Sequence, residues 1–146
     1  LYYYFGEDAY ENMLTFHRLI DVNYAMIADK GAVMLSYAGN FWSDEYWRIQ
    51  TMNNLVALFD NSITAVKSNG NLTEKQKADY VTNLEKAELM PAYMRLYNAR
   101  RYGLDDANVK KLATEWISLA EKYGVIKTGE NDALTIEAVK IKYGIG

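Results

Sequence analysis

The stretch that decides the predicted fold begins Asn71-Leu72-Thr73-Glu74-Lys75-Gln76 and continues through Ala87-Glu88-Leu89-Met90-Pro91-Ala92-Tyr93-Met94-Arg95-Leu96-Tyr97. Thr73 and Gln76 have the spacing of a capping box, in which each side chain bonds a free backbone N–H at the start of a helix. Pro91 removes a backbone donor and disfavours the helical conformation in the residue before it. We therefore predict one long helix that is kinked or broken at Pro91.

Apolar residues recur every three or four positions along this helix, which is the spacing of one helical face. They are Tyr80, Val81, Leu84, Ala87, Pro91, Met94 and Tyr97. The same spacing predicts helices over about 7–28, 44–69 and 105–123. Ser43 and Asp105 are suited to cap the second and third of these, and Gly70, Gly103 and Gly124 to end helices.

Four principal helices joined by short connections predict an all-α fold, a mainly antiparallel bundle that forms one domain over 7–146. Three segments leave alternatives open. Residues 29–40 could be a short helix or a covering loop, and 136–143 could be a short terminal helix or a strand. Residues 1–5 could be an edge strand or an extended tail.

The composition is that of one ordinary globular domain, since 50% of the 146 residues are hydrophobic and 24% are charged. A net charge of −3 without a basic cluster argues against nucleic acid as a partner. The absence of cysteine excludes disulfides and thiolate metal sites. No apolar run is long enough to predict insertion into a membrane, and no motif predicts a cofactor.

The first five residues, Leu1-Tyr2-Tyr3-Tyr4-Phe5, are all large and apolar or aromatic. Because the sequence begins with Leu and not with Met, we expect it to be part of a longer protein. We interpret residues 1–6 as the junction with an upstream domain. Tyr2, Tyr3, Tyr4 and Phe5 are the predicted interdomain contacts.

His17 is the single histidine and lies one helical turn before Asp21. Such a pair could transfer protons, but no nucleophile is placed beside it by the sequence. We interpret His17 as a core or subsurface residue bonded to Asp21 or to a backbone carbonyl. The carboxylates Glu85 and Glu88 are interpreted as a solvated pair, and no metal site is predicted.

Aromatic residues and carboxylates cluster in Phe41-Trp42-Ser43-Asp44-Glu45-Tyr46-Trp47. Aromatics at the entry to a helix often hold the incoming chain against the core. Exposed rings beside acids are also the groups that stack on sugars and bind their hydroxyls. Trp42, Tyr46 and Trp47 are therefore candidate binding residues for a glycan or a peptide.

Two further segments resemble a known module. Tyr3-Tyr4-Phe5-Gly6-Glu7-Asp8-Ala9-Tyr10 is similar to the Tyr-Tyr-Gly-x-Ala entry into the helical C-terminal module of large bacterial carbohydrate-degrading proteins. Leu55-Val56-Ala57-Leu58-Phe59 and Ala87-Glu88-Leu89-Met90-Pro91-Ala92-Tyr93 resemble two helices of that module. Those proteins resemble alpha-glucuronidases and beta-hexosaminidases. The chain departs from the pattern at Ser62, where alanine is usual.

The resemblance implies a helical accessory module that follows a catalytic (β/α)₈ barrel. In such proteins the catalytic carboxylates belong to the barrel, so no catalytic residue is carried over to this chain. We expect a non-catalytic structural module of a secreted glycan-processing enzyme, with the upstream barrel as its partner and a periplasmic or extracellular location. The alternative is an independent glycan- or peptide-binding module that uses the cluster at 41–47.

Overall fold

The computed structural model describes residues 2–29, 49–125 and 135–146, and side chains over 3–20, 51–125 and 135–146. Predictions that concern 30–48, including the cap Ser43 and the aromatic cluster at 41–47, lie outside the described residues. So does most of the connection between 125 and 135.

The described residues form six α-helices and no strand, which confirms the all-α prediction. In chain order the elements are α1 (Tyr2–Phe5), a 3₁₀ turn (Glu7–Ala9), α2 (Tyr10–Asp29), α3 (Ile49–Ser68), α4 (Glu74–Ala99), α5 (Asp106–Lys122) and α6 (Ile136–Tyr143). Helices α2 to α5 are the four long ones, as predicted.

Side-chain contacts between neighbouring helices show that α2 to α5 run antiparallel. Rising residue numbers on one helix pair with falling numbers on the next for α2 with α3 and for α4 with α5, and the start of α3 lies beside the end of α4. The pairs are Asn12–Ser62 and Phe16–Phe59 between α2 and α3, Asn53–Arg95 near the start of α3 and the end of α4, and Glu85–Lys122 and Leu89–Trp116 between α4 and α5. The predicted antiparallel bundle is confirmed for these helices.

Helix α4 is the element that both halves of the domain share. Before Pro91 its residue Leu84 is completely buried in a first core with α2 and α3. After Pro91, Met94 still belongs to this first core, whereas Leu96 and Ala99 lie in a second core with α5 and α6. The helix is continuous from Glu74 to Ala99, so the break allowed by the prediction does not occur. Packing on both sides of the proline offsets the lost hydrogen bond.

The predicted capping box at the start of α4 is confirmed. The Gln76 backbone N–H donates to Thr73 Oγ1 at 3.1 Å, and the Thr73 N–H donates to Gln76 Oε1 at 2.8 Å. Asp105 also caps α5 as predicted, accepting from the Asn108 N–H at 2.8 Å. These interactions are local, and a three-residue spacing is sufficient to predict them.

We expect Thr73→Ala to lower the free energy of unfolding by about 1 kcal/mol, because the Gln76 N–H at the start of α4 loses its partner. Urea unfolding of the two proteins measures the difference. Thr114→Ala is the matched control, since that exposed hydroxyl donates within its own helix to the Lys110 carbonyl and caps nothing. Equal losses in the two variants would contradict the capping role.

Two predicted segment boundaries and one predicted apolar position are different in the structure. Residues Tyr2–Phe5 form a short helix and not a strand or an extended tail, and they pack on α4. Helix α3 ends at Ser68, and Gly70 lies two residues beyond it without a positive φ. Tyr97, predicted on the apolar face of α4, is 42% exposed. The helix at 2–5 depends on its packing against α4, which helical periodicity does not include.

The C-terminal segment is a helix, which decides between the two predicted alternatives. Thr135 caps it by accepting from the Ala138 N–H at 3.2 Å, and Gly144 ends it in the left-handed conformation at φ 67°. Ile136, Val139 and Tyr143 are buried against the second core. In a strand, residues 139, 141 and 143 would share one face. In the helix Ile141 is 81% exposed while Val139 and Tyr143 are buried, so the alternation of apolar residues does not indicate a strand here.

Candidate functional site

The first candidate site is the surface formed by the N-terminal turn and the start of α4. Tyr3 is 100% exposed and Tyr4 is 51% exposed, whereas Phe5, the next residue, is buried in the first core. Buried Phe5 therefore anchors a turn that presents two tyrosines to solvent. We call Tyr3, Tyr4 and the groove described below the N-terminal aromatic surface.

Three further contacts hold this turn. Asn83 Nδ2 on α4 donates to the Tyr4 carbonyl at 2.7 Å, and the Tyr4 ring meets the Phe5 ring edge-on at 4.8 Å. Gly6 adopts φ 85° and lies against the Tyr80 ring, where a Cβ would approach ring carbons to 2.9 Å. The turn is therefore ordered by contacts at three successive residues before any partner binds.

A shallow groove of about 400 Å³ continues from Tyr3 along α4. Its lining combines aromatic rings with amide, hydroxyl and carboxylate groups. The lining residues are Tyr3, Gln76, Asp79, Tyr80, Thr82 and Asn83. Asp79 is paired with Lys75 at 2.8 Å, and this hydrogen bond raises the pKa of Lys75. The surface is thus amphipathic, which suits contact with another protein surface.

The second candidate site is a carboxyl pair between α3 and α4. Glu88 is only 7% exposed and is hydrogen-bonded to Asp60, an exposed residue of α3. The pKa of the Glu88 carboxyl is raised to about 9, chiefly because the group is buried. The hydrogen bond with Asp60 and the negative charge of Asp60 also raise this pKa, whereas the positive charge of Arg95 lowers it. Strongly shifted carboxyl groups are common at functional sites and also occur in structural pairs.

The interpretation of Glu85 and Glu88 as a solvated pair is wrong for Glu88. Glu85 bonds Lys122 of α5 at 3.1 Å, and Glu88 faces α3 within the bundle. Sequence reasoning missed this buried acid although a signal was present. Glu88 lies four residues after Leu84 and three before Pro91, so it shares their buried face.

The structure places the other predicted site residues as follows. Trp42, Tyr46 and Trp47 lie outside the described residues, as does the side chain of Tyr2, so the binding predictions for them stay predictions. Tyr3 and Tyr4 are exposed and share one turn with Phe5, whose ring packs inside the domain. The interdomain role of this turn also stays a prediction.

His17 is exposed, so its interpretation as a core or subsurface residue is wrong. Its ring contacts that of Phe16 edge-on at 5.6 Å, and Phe16 takes the buried position on α2. The side chain of Asp21 is not among the described ones. The periodicity of apolar residues predicted His17 on the buried face of α2, whereas the preceding residue, Phe16, occupies that position.

Two searches of the described residues concern other kinds of site. Residues 2–29, 49–125 and 135–146 contain no group of three or more His, Cys, Asp or Glu side chains able to hold a metal ion. No helix within these ranges is both long enough and apolar enough to cross a bilayer.

Ser62, the residue that departs from the resembled module, has a defined structural role. It is completely buried, and its hydroxyl donates to the Leu58 carbonyl at 2.7 Å. The same hydroxyl accepts from Asn12 Nδ2 on α2 at 3.0 Å. Serine therefore adds a hydrogen bond between α2 and α3 that alanine could not form.

Comparisons of the chain with protein-family models, with curated proteins and with solved structures find no match.

Proposed function

We propose that the chain is a non-catalytic helical module of a carbohydrate-processing protein and that its N-terminal aromatic surface packs against a neighbouring catalytic domain. The single observation that carries the proposal is the complete exposure of Tyr3 beside half-exposed Tyr4, on a turn fixed by buried Phe5. Tyrosine is enriched at protein interfaces because its ring is apolar and its hydroxyl can bond a partner.

The order of the turn favours binding. A surface that is already held in place loses little conformational freedom when a partner covers it, so more of the contact energy remains as affinity. The Asn83 bond to the Tyr4 carbonyl and the packing of Gly6 on Tyr80 supply this order. The polar lining of the groove provides partners for hydrogen bonds at the rim.

The resemblance to helical modules of glycan-processing enzymes supplies the proposed partner. In that arrangement the partner is a catalytic barrel that precedes the module, and the protein acts outside the cytoplasm. In that arrangement the preceding domain would join the chain close to Tyr3. The catalytic carboxylates would then belong to the barrel.

The test uses the full product of the gene that encodes this chain. We expect Tyr3→Ser with Tyr4→Ser to lower the melting temperature of the full protein by several degrees, since two ring contacts between domains are lost. The same double change in the 146-residue chain should lower the melting temperature by less, because there Tyr3 is completely exposed and Tyr4 loses only its contact with Phe5. Differential scanning calorimetry measures both.

A photo-crosslinking residue at position 3 identifies the partner directly. We expect ultraviolet light to link it to a peptide of the catalytic domain in the full protein. The same residue at Lys110, an exposed position on α5, serves as the control and should give no such link. A full protein that has no second domain, or equal crosslinking from both positions, would overturn the proposal.

A further inference from the structure

The polar side chains between α3 and α4 form a short ladder whose register is set by one hydrogen bond. Arg95 Nη1 on α4 donates to Asn53 Oδ1 on α3 at 3.3 Å. On α3, Asp60 follows Asn53 by seven residues, and on α4, Glu88 precedes Arg95 by seven residues. Seven residues are about two helical turns, so antiparallel helices bring Asp60 and Glu88 to the same level.

Two carboxyl groups can share a hydrogen bond only when one of them carries a proton, because ionised carboxylates are acceptors alone. Glu88 is the buried member and Asp60 the exposed one, so the proton belongs on Glu88 and its O–H donates to the Asp60 carboxylate. Loss of that proton would place two negative charges side by side and remove the donor between them. The pair is therefore stabilising in one protonation state and repulsive in the other.

The charged groups around the pair do not neutralise the second charge. Glu85, one turn before Glu88, adds repulsion, and its own partner is Lys122 of α5. Arg95, two turns after Glu88, attracts the ionised form. Its buried Nε has no hydrogen-bond partner among the described residues, and its Nη1 is directed to Asn53. Arg95 therefore weakens the repulsion without replacing the proton.

We propose that Asp60 and Glu88 form a proton-dependent latch, which holds α3 and α4 together while the pair carries one proton and loosens the contact between them when the proton leaves. The latch lies between α3 and α4 and is independent of the proposed docking of the N-terminal aromatic surface. It makes the packing of the central helix sensitive to alkaline conditions.

The direction of the pH effect follows from proton binding. The Glu88 carboxyl has a raised pKa of about 9 in the folded protein, while in the unfolded chain it has the ordinary pKa of about 4.5. The folded state therefore binds one more proton between these values. The stabilisation that this proton gives to the folded state is complete below about pH 4.5 and is lost as pH rises toward 9. Between these values the folding equilibrium constant falls by up to about tenfold per pH unit.

The decisive comparison is urea unfolding of the wild-type chain and Glu88→Gln from pH 5 to pH 9. Glutamine keeps a donor toward Asp60 and cannot ionise, so we expect the variant to lack the fall in stability that the wild type shows. Glu85→Gln is the matched control, one turn earlier on α4, where the side chain bonds Lys122 of α5, and it should retain the wild-type slope. Parallel curves for wild type and Glu88→Gln would overturn the latch.

Two measurements on the folded state complete the test. Carbon NMR of glutamate-labelled wild-type protein should show one side-chain carboxyl that titrates above pH 7, and the absence of such a signal would refute the proposal even if Glu88→Gln fails to fold. Amide hydrogen exchange should be faster along α3 and α4 in the wild type than in Glu88→Gln at pH 9, and equal at pH 5. Equal exchange at both pH values would show that the proton does not control the contact.

Discussion

Phe59→Ala is expected to lower the free energy of unfolding by about 3–5 kcal/mol, the usual cost of truncating a buried phenylalanine. Phe59 is 1% exposed at the centre of the first core and contacts the Phe16 ring edge-on at 4.9 Å. The variant loses the ring's burial, the aromatic contact and the packing of the surrounding helices. A loss of this size is a large share of the 5–15 kcal/mol typical of a folded domain.

Urea unfolding followed by circular dichroism measures this loss. Asn61→Ala is the matched control, an exposed position on the same helix, and it should change the stability by no more than about 0.5 kcal/mol. Because α4 contributes to both cores, we expect one transition in which circular dichroism and tryptophan fluorescence coincide. A second transition at higher urea would contradict this, since it would show that the core around Trp116 unfolds separately.

Gly6→Ala is expected to lower the free energy of unfolding by roughly 2–6 kcal/mol, from two effects that add. The backbone at φ 85° and ψ 165° is in a region that is nearly restricted to glycine, which costs about 1–3 kcal/mol for alanine. The new Cβ would also lie 2.9 Å from carbons of the Tyr80 ring, an overpacking that costs about 1–3 kcal/mol more.

Gly103→Ala separates the two effects. Gly103 also has a positive φ, 93°, but a Cβ there would meet nothing within 4 Å, so we expect only the smaller backbone cost. Tyr80→Ala combined with Gly6→Ala should recover part of the loss, because the clash is removed and the strained φ remains. Equal effects of Gly6→Ala and Gly103→Ala would show that contact with Tyr80 is unimportant.

Gly6→Ala also bears on the proposed docking. Displacement of the turn from Tyr80 would move Tyr3 and Tyr4 relative to the groove on α4. The full protein should then lose interdomain crosslinking from position 3 under conditions in which the module is still folded. The position of the turn, and not only the two tyrosine side chains, is thus part of the proposed surface.

Much of the fold could be predicted because its signals are local. The capping box at Thr73 and Gln76, the cap at Asp105 and the stop at Gly124 each depend on residues within a few positions of one another. The faces of α3 and α5 were also predictable, since Leu55, Phe59 and Val66 repeat at helical spacing. Positions 1, 30–48 and 126–134 leave the predicted segments without a described outcome.

The candidate sites were less predictable than the helices. The N-terminal tyrosines were identified as contacts from their composition, but nothing in the sequence shows that Phe5 turns inward while Tyr3 stays outside. For Glu88 the residue type misled the interpretation, since an acid is expected at the surface. Its burial requires a partner on another helix, which periodicity alone does not identify.

The sequence by itself therefore determined the helices, most of their ends and the all-α class, because hydrogen bonds and caps within a helix join residues that are close along the chain. Only the tertiary structure decided that Asp60 meets Glu88, that Gly6 touches Tyr80 and that His17 faces solvent. Burial and pKa depend on which distant helices pack together and in which register. That register is a sum over many weak contacts across the chain, and no single segment contains it.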